Sequence, residues 1–372
     1  MSLELSIVMP CLNEAETIAI CVEKAKAFMQ KNNIKGEVVI GDNGSTDGSQ
    51  EIAEKLGAIV INVEKKGYGN ASRGAIEGSK GKYIITADTD DSHDILNLNL
   101  FIEKLREGFD LVMGNRFKGV TNKDSMPFLH RYVGNPVLTF VGNLFFKTNI
   151  GDFHCGLRGF TREAYNKMEL STTGMEFASE IVVKASMLDL NITEVPTTVF
   201  PAGRSREAHL RTFPDGWRHL RFLLLYSPKW LFLIPGILFM LIGIIGTFVT
   251  MLNNNNEAAR WIPLFAGLFL ISFQFVVFYA LTKIYATNHG LIPRKKGYNK
   301  LFLYFTLERG LLVGLFFTII GFVLYYLGFK EGIDINQTLK TIVPVTIVMV
   351  LGIQLILFSF FFSILGLKDD SN

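Results

Sequence analysis

The densest chemistry in this 372-residue sequence is a run of acids, Asp88-Thr89-Asp90-Asp91-Ser92-His93. Carboxylates so close repel one another, and a divalent cation turns that repulsion into binding, because hard oxygens suit Mg2+ or Mn2+. Mg2+ commonly takes one or two carboxylates and completes its shell with substrate phosphates. In an extended segment Asp88 and Asp90 fall on one side, so both are expected to reach one ion. A solvated acidic loop is the alternative. His93 reads as a neutral loop residue rather than a ligand.

Other polar clusters accompany it. Pro10-Cys11-Leu12-Asn13-Glu14 offers Asn13 as a helix cap or Glu14 as an acceptor for a base or ribose. Asp42-Asn43-Gly44-Ser45-Thr46-Asp47-Gly48 is a tight turn whose Asp42 could read a base edge. In Lys66-Gly67-Tyr68-Gly69-Asn70, glycines ahead of a helix could bring backbone amides to a phosphate, or simply start the helix. Arg116, Arg131, Arg158, Arg204 and Arg206 are guanidinium forks suited to phosphates; each alone is also an ordinary solvated arginine.

Elements must position these groups. Apolar runs predict strands at Leu5–Met9, Val38–Gly41, Ile59–Val63, Tyr83–Ala87 and Leu111–Met113. Helical patterns fall near Glu14–Gln30, Gly48–Leu56, Gly69–Ser79 and Ile95–Glu107. Strands separated by helices indicate an α/β domain with a mostly parallel sheet. Ligands of such sheets bind beyond the carboxyl ends of the strands, where the first four clusters sit.

The rest of the chain is of another kind. Mean hydropathy is +0.30 although 19% of residues are charged, and the two figures reconcile if residues 1–228 are water-soluble and 229–372 are membrane. Four segments, about 230–252, 261–282, 310–329 and 341–367, are long enough to span a hydrocarbon core of ~30 Å. They hold almost no ionisable residue at mid-depth, which disfavours a transport pathway. Arg294, Lys295, Lys296 and Lys300 follow the second segment. Basic loops stay in the cytoplasm, so both termini and the large N-terminal domain are expected there, and no cleavable signal precedes the first strand. Stretches 126–150 and 213–228 mix basic and apolar residues, as helices in the headgroup layer do. Three cysteines without a CxxC pattern exclude a disulfide framework or a zinc site. A net charge of +3 argues against a nucleic-acid partner. The apolar helices offer surfaces on which copies could form a homo-oligomer.

Together these motifs resemble glycosyltransferase family 2, whose fold is the Rossmann-like GT-A domain. The resemblance rests on Pro10-x-x-Asn13-Glu14, Asp42-x-Gly44-Ser45-x-Asp47-Gly48 and Asp88-x-Asp90, in that order, over about residues 5–228. Gly114-Asn115-Arg116, Asp152-x-x-Cys155-Gly156-Leu157-Arg158 and Gly203-x-Ser205-Arg206 resemble the branch acting on polyprenyl phosphates, such as dolichyl and undecaprenyl phosphate. The resemblance implies a donor site of Pro10, Leu12, Glu14, Ile40, Asp42, Gly67, Asp88, Thr89 and Asp90. It implies Mg2+ or Mn2+ on Asp88 and Asp90, with Ser92 where some relatives carry a further ligand. Arg116, Arg131, Arg158, Arg204, Ser205 and Arg206 would meet the acceptor phosphate, and Asp90, Arg116, Arg131, Asp152 and Arg206 would form the catalytic set. Gly216-Trp217-Arg218 stands without the Gln-x-x-Arg-Trp motif of processive synthases.

The implied reaction is inverting transfer of a hexose from a nucleotide sugar, UDP-glucose or GDP-mannose, to a polyprenyl phosphate. One alternative is transfer to a hydroxyl lipid such as diacylglycerol, which would need a carboxylate base from Asp91, Asp152 or Glu180. Another is a non-catalytic nucleotide-binding membrane platform.

Overall fold

The computed structural model describes residues 3–119, 126–206, 211–253, 256–288, 291–293, 306–330 and 335–366. It divides into two compact units, Met1–Leu223 and Leu224–Asn372.

In the first unit, strands β1 (Leu5–Cys11), β2 (Gly36–Asp42), β3 (Ile59–Asn62), β4 (Tyr83–Thr86), β5 (Leu111–Asn115), β6 (Arg158–Thr161) and β7 (Ile192–Pro196) form one sheet of order β3-β2-β1-β4-β6-β5-β7. Almost every residue of β1 is buried, as in the middle of a sheet covered on both faces. Helices α1 (Ile18–Lys31), α2 (Ser49–Lys55), α3 (Tyr68–Glu77) and α4 (Asn99–Arg106) join the first five strands. In α1, Ile18, Cys21, Val22, Ala25, Phe28 and Met29 recur at helical spacing and are buried. β1 pairs with β2 on one side and β4 on the other, both parallel. The chain therefore leaves β1 outward through β2 and β3, then returns beside β1, which opens a crevice at the carboxyl ends of β1 and β4.

Two strands were not anticipated. β6 runs antiparallel between β4 and β5, and β7 pairs parallel with β5. Arg158-Gly159-Phe160-Thr161 and Ile192-Thr193-Glu194-Val195-Pro196 lack a continuous apolar run, so neither carries the usual strand signal. Helix α1 also starts at Ile18 rather than Glu14. Asn13 is left-handed (φ 57°), and the carbonyl of Glu14 accepts from the amides of Thr17 and Ile18. That turn keeps Glu14 out of the helix. Further helices are α5 (Asn135–Phe146), entered by a π-type turn at His130–Gly134, then α6 (Arg162–Met168), α7 (Phe177–Met187) and α8 (Thr212–Leu225).

The second unit holds α9 (Ile234–Leu252), the short α10 (Asn256–Ala259), α11 (Ile262–Asn288), α12 (Leu307–Lys330) and α13 (Ile335–Gly366). Four helical stretches are long and apolar enough to cross a membrane: Lys229–Leu252, Glu257–Asn288, Leu307–Gly328 and Leu339–Leu365. The basic cluster Arg294, Lys295, Lys296 and Lys300 lies outside the described residues, as does position 367.

Candidate active site

A cleft of ≈ 480 Å³ opens at the β1/β4 crevice, and Pro10, Leu12, Glu14, Gly67, Asp88, Thr89, Asp90 and Arg204 all line it. Its floor is tied across the sheet. Thr89 Oγ1 donates to the Pro10 carbonyl at 2.9 Å, and Thr17 Oγ1 donates to the Thr89 carbonyl at 2.6 Å. Thr89 thus fixes the strand-end loops rather than presenting its hydroxyl to a ligand.

The acidic run is bent, not extended. Asp90 Oδ1 accepts from Ser92 N at 3.1 Å and from Ser92 Oγ at 2.6 Å, an Asx turn, and Asp91 is left-handed (φ 61°). Ser92 therefore orients Asp90, its hydroxyl hydrogen committed to that carboxylate. Asp91 is drawn off by Lys24 Nζ at 2.5 Å, which leaves two carboxylates facing the cleft. Asp88 Oδ1 accepts from Tyr68 Oη at 3.0 Å. His93 Nδ1 accepts from the Asp88 amide at 3.1 Å, and its Nε2 lies 3.8 Å from Asp88 Oδ2. Gly156 is required here: a Cβ would stand 2.6 Å from Asp88 Oδ2 and 2.9 Å from His93 Cε1. Among the described residues no three His, Cys, Asp or Glu side chains gather as a closed metal centre. Two carboxylates in an open cleft fit Mg2+ or Mn2+ only when substrate oxygens complete the shell.

Glu14 is buried and doubly paired. Its Oε1 meets Arg204 Nη1 at 2.6 Å and also Arg206 Nη2. Burial pushes its carboxyl above the ordinary range, against the pull of Arg204 and Arg206. Arg204 also reaches Asp90 Oδ2 at 3.2 Å. Arg206 donates to the carbonyls of Asn13 (2.9 Å) and Leu12 (3.1 Å), and Ser205 to Glu16 through N (2.6 Å) and Oγ (2.5 Å). The Gly203–Arg206 segment thus lies on the rim of this cleft.

Asp42 is buried, with Oδ2 accepting from the amides of Gly44 (2.8 Å) and Ser45 (3.0 Å) and from Gln50 Nε2 (2.5 Å). Its Oδ1 is buried with no partner among the described residues, and Asp42, fully enclosed, does not itself line the cleft. Ile40 is fully buried in the core and supports this strand end from below. The proposed amide cradle at the start of α3 is taken up internally. Gly67 N donates to Asn43 Oδ1 at 2.7 Å, and the Gly69 and Asn70 amides donate to the Thr173 carbonyl at 3.0 and 3.3 Å. Gly67 lines the cleft at φ 129°, where a Cβ would meet the Thr173 carbonyl oxygen at 2.2 Å.

A second, apolar cavity of ≈ 440 Å³ lies between α8 and the continuous helix formed by the π-type turn and α5, with Arg116 and His154 among its walls. Met175 belongs to the walls of both cavities. Arg116 is clamped by the fully buried Asp152, through Nε at 2.6 Å, Nη2 at 2.8 Å and its backbone N at 3.1 Å. Burial opposes the guanidinium charge, but Asp152 more than offsets it and holds the Arg116 pKa above its usual value. Glu194, on β7, accepts from the amides of Gly151 and Asp152 (3.2 Å), from Asn115 Nδ2 (3.1 Å) and from Lys118 Nζ (3.0 Å). It fixes the turn that delivers Asp152, and no sequence motif marked it.

Two expected acceptor arginines are placed elsewhere. Arg158 is 2% exposed and donates to the carbonyls of Cys155 (2.9 Å) and Ala178 (2.6 Å). It builds the loop behind Asp152 and does not present itself to an acceptor. Arg131 stands 5.7 Å from the Tyr132 ring on the π-type turn and lines neither cavity. Glu180 is fully buried, its carboxylate accepting from Ser171 and Thr172 and paired with Lys184 at 3.0 Å. Burial raises its pKa, but those hydrogen bonds and Lys184 prevail and bring it below the usual carboxylate range. An enclosed carboxylate cannot reach a lipid hydroxyl; Asp152 is likewise buried against Arg116, and Asp91 is partly exposed and paired with Lys24.

Beside the apolar cavity, His154 Nε2 and His219 Nδ1 share Ser179 Oγ at 3.1 and 2.8 Å. Burial first, then neighbouring positive groups, hold His154 well below its ordinary pKa. Burial likewise pushes His219 down to about 4 despite Asp215. Exposed apolar side chains gather on the same elements: Phe128, Tyr132, Val137 and Phe140 on the π-turn and α5 helix, and Phe213 and Trp217 on α8.

Comparison with known proteins adds independent findings. Residues 6–168 match Glycosyl transferase family 2, and residues 280–366 match the Glycosyltransferase family 2 C-terminal transmembrane region. The low-salt glycan biosynthesis hexosyltransferase Agl6 of Haloferax volcanii is 37% identical over 97% of this chain and 89% of its own length. A dolichyl-phosphate hexose transferase of the same organism is 31% identical over 57% of this chain and 89% of its own. Among solved structures, a Mycobacterium tuberculosis glucosyl-3-phosphoglycerate synthase aligns over 60% of this chain and 78% of its own, at 19% identity and a TM-score of 0.45.

Proposed function

The chain belongs to glycosyltransferase family 2, and from that premise we propose that it transfers a hexose from a nucleotide sugar to a polyprenyl phosphate with inversion. The donor is UDP-glucose, with GDP-mannose second. One observation carries the reading: Met175 is common to a cleft holding Asp88 and Asp90 and to an apolar cavity holding Arg116. A nucleotide diphosphate suits the first and an isoprenoid phosphate the second. The dolichyl-phosphate relative supports the same acceptor class.

Glu14 would hold the nucleoside side of the cleft, and Asp42, behind the lining, would fix the Gly44–Ser45 turn beside it. Asp88 and Asp90 would hold a divalent cation, which would supply Lewis-acid stabilisation to a departing diphosphate. Tyr68 and Ser92 keep the two carboxylates aimed. The acceptor's second pKa is near ~6, as for phosphate monoesters, so it is mostly dianionic at neutral pH. It therefore needs no general base, in keeping with the occupation of Asp91, Asp152 and Glu180. Arg116, held by Asp152, offsets its charge and orients it. A phosphate oxygen then forms a bond to the anomeric carbon as the bond to the diphosphate breaks. The electron pair leaves on the nucleoside diphosphate, and an α-linked donor yields a β-linked lipid.

In this reading residues 1–228 are the catalytic domain. Segments 126–150 and 213–228 lie in the headgroup layer through their exposed Phe and Trp side chains, and 229–372 anchor the protein. The basic residues Arg294, Lys295, Lys296 and Lys300 of the sequence support a cytoplasmic catalytic domain and cytoplasmic termini. Purified protein should move labelled hexose from a nucleotide sugar to polyprenyl phosphate in the presence of Mg2+ or Mn2+. Absence of transfer with any common donor, or undiminished transfer by Asp90→Ala, would overturn the proposal.

A further inference from the structure

Asp90 has two carboxylate oxygens with different duties. Oδ1 is committed to Ser92, through N at 3.1 Å and Oγ at 2.6 Å. Oδ2 is the one left for a cation, and Arg204 Nη2 holds it at 3.2 Å. A guanidinium and a divalent ion compete for that oxygen, since each repels the other at such range. On the reading that Asp88 and Asp90 hold the donor's cation, something must draw Arg204 away.

The surroundings permit that movement. Gly203 N donates to the Asp90 carbonyl at 2.9 Å and Phe200 N to the Ser92 carbonyl at 2.9 Å, so the backbone of the segment stays on the acidic loop. Arg204 can leave Glu14 without stranding a buried charge, because Arg206 Nη2 also contacts Glu14 Oε1. Arg204 lines the cleft itself, within reach of an entering diphosphate, and a guanidinium exchanges a carboxylate for a phosphate readily because both accept its fork.

We propose that Arg204 is the exchangeable counter-cation of Asp90: it competes with the divalent ion, and the donor diphosphate relieves the competition by taking Arg204 for itself. Cation and nucleotide then bind cooperatively. By linkage each raises the other's affinity by the same factor. Arg204 acts through Asp90 and the diphosphate and is a positioning residue, distinct from Arg206, which reaches Glu14 and two backbone carbonyls.

The test measures Mn2+ binding to the full-length protein in detergent, from the free-ion magnetic resonance signal, with and without UDP and, in parallel, GDP. In the wild type one nucleotide should tighten Mn2+ binding, in the ~5–150-fold range usual for coupled sites. Arg204→Gln should bind Mn2+ alone several-fold more tightly than the wild type, and the nucleotide's tightening of Mn2+ binding should shrink by about the same factor. Lys24→Gln removes the same charge from the neighbouring Asp91 and should leave Mn2+-alone affinity at the wild-type value. Arg204→Gln binding Mn2+ alone no more tightly, keeping the full nucleotide effect, or being matched by Lys24→Gln would each overturn the inference while leaving the proposed reaction standing. A wild type that binds no Mn2+ with either nucleotide would overturn the metal reading and this inference together.

Discussion

Replacing Glu180 separates a structural carboxylate from a chemical one. Its oxygens accept from Ser171 N (3.0 Å), Ser171 Oγ (3.1 Å), Thr172 N (2.8 Å) and Thr172 Oγ1 (2.6 Å), and Lys184 Nζ lies 3.0 Å away. Glu180→Ala strands two amides and two hydroxyls and strips a buried lysine of its carboxylate. Removing one partner of a buried ion pair costs roughly 3–5 kcal/mol. For a unit of this size each kcal/mol lowers Tm by about 2–4 °C, so a fall of roughly 6–20 °C is expected. The consequence reaches the site, because the Ser171–Thr173 loop supplies the carbonyl that receives the Gly69 and Asn70 amides. Glu180→Gln keeps one acceptor oxygen and much of the packing. Below its own Tm it should retain kcat within about threefold, because a structural loss of about 1–3 kcal/mol does not enter the barrier of a folded enzyme. Thermal unfolding in detergent and initial transfer rates well below Tm measure the two effects. A Glu180→Gln protein with an unaltered Tm and kcat reduced a hundredfold or more would refute the structural assignment and make Glu180 the base of a hydroxyl-acceptor enzyme.

Other perturbations follow from the same geometry. Gly156→Ala would press its Cβ on Asp88 Oδ2 and His93; Mn2+ binding in the presence of nucleotide should weaken by at least tenfold while far-ultraviolet dichroism is unchanged. His219 is neutral in the folded protein down to about pH 4 but takes a proton near 6.5 when unfolded. Its contribution to stability is therefore complete above 6.5 and lost as pH falls toward 4, at roughly 1.4 kcal/mol per unit. Denaturant midpoints across that range should fall, and His219→Asn should flatten the slope. Phe140→Asp places a charge on a face expected in the headgroup layer, and should raise KM for a long-chain polyprenyl phosphate more than for a short water-soluble analogue.

The site was legible in the sequence where a strand end meets a polar turn. Pro10–Glu14, Asp42–Asp47 and Asp88–Ser92 each follow an apolar run, and parallel topology gathers such ends. What was illegible is made by long-range contact. Tyr68 meets Asp88 across 20 positions and Arg204 meets Glu14 across 190. Glu194 sits in a polar strand that displays no periodicity, and its partners lie on β5 and the turn before β6. Arg158 and Glu180 show the opposite failing: charged residue types suggest surface chemistry, but both are enclosed and saturated by local carbonyls, amides and hydroxyls. The glycines at 67 and 69 read as a phosphate cradle, whereas they admit the Thr172–Thr173 backbone.

The account stands most directly on the linkage in the product. Extraction of the lipid formed from a nucleotide hexose and polyprenyl phosphate, followed by proton and phosphorus NMR, reads both the bond and its stereochemistry. The account predicts an anomeric proton coupled to phosphorus, with the β configuration. A sugar joined to lipid without phosphorus coupling, or an α-linked phosphodiester, would contradict it.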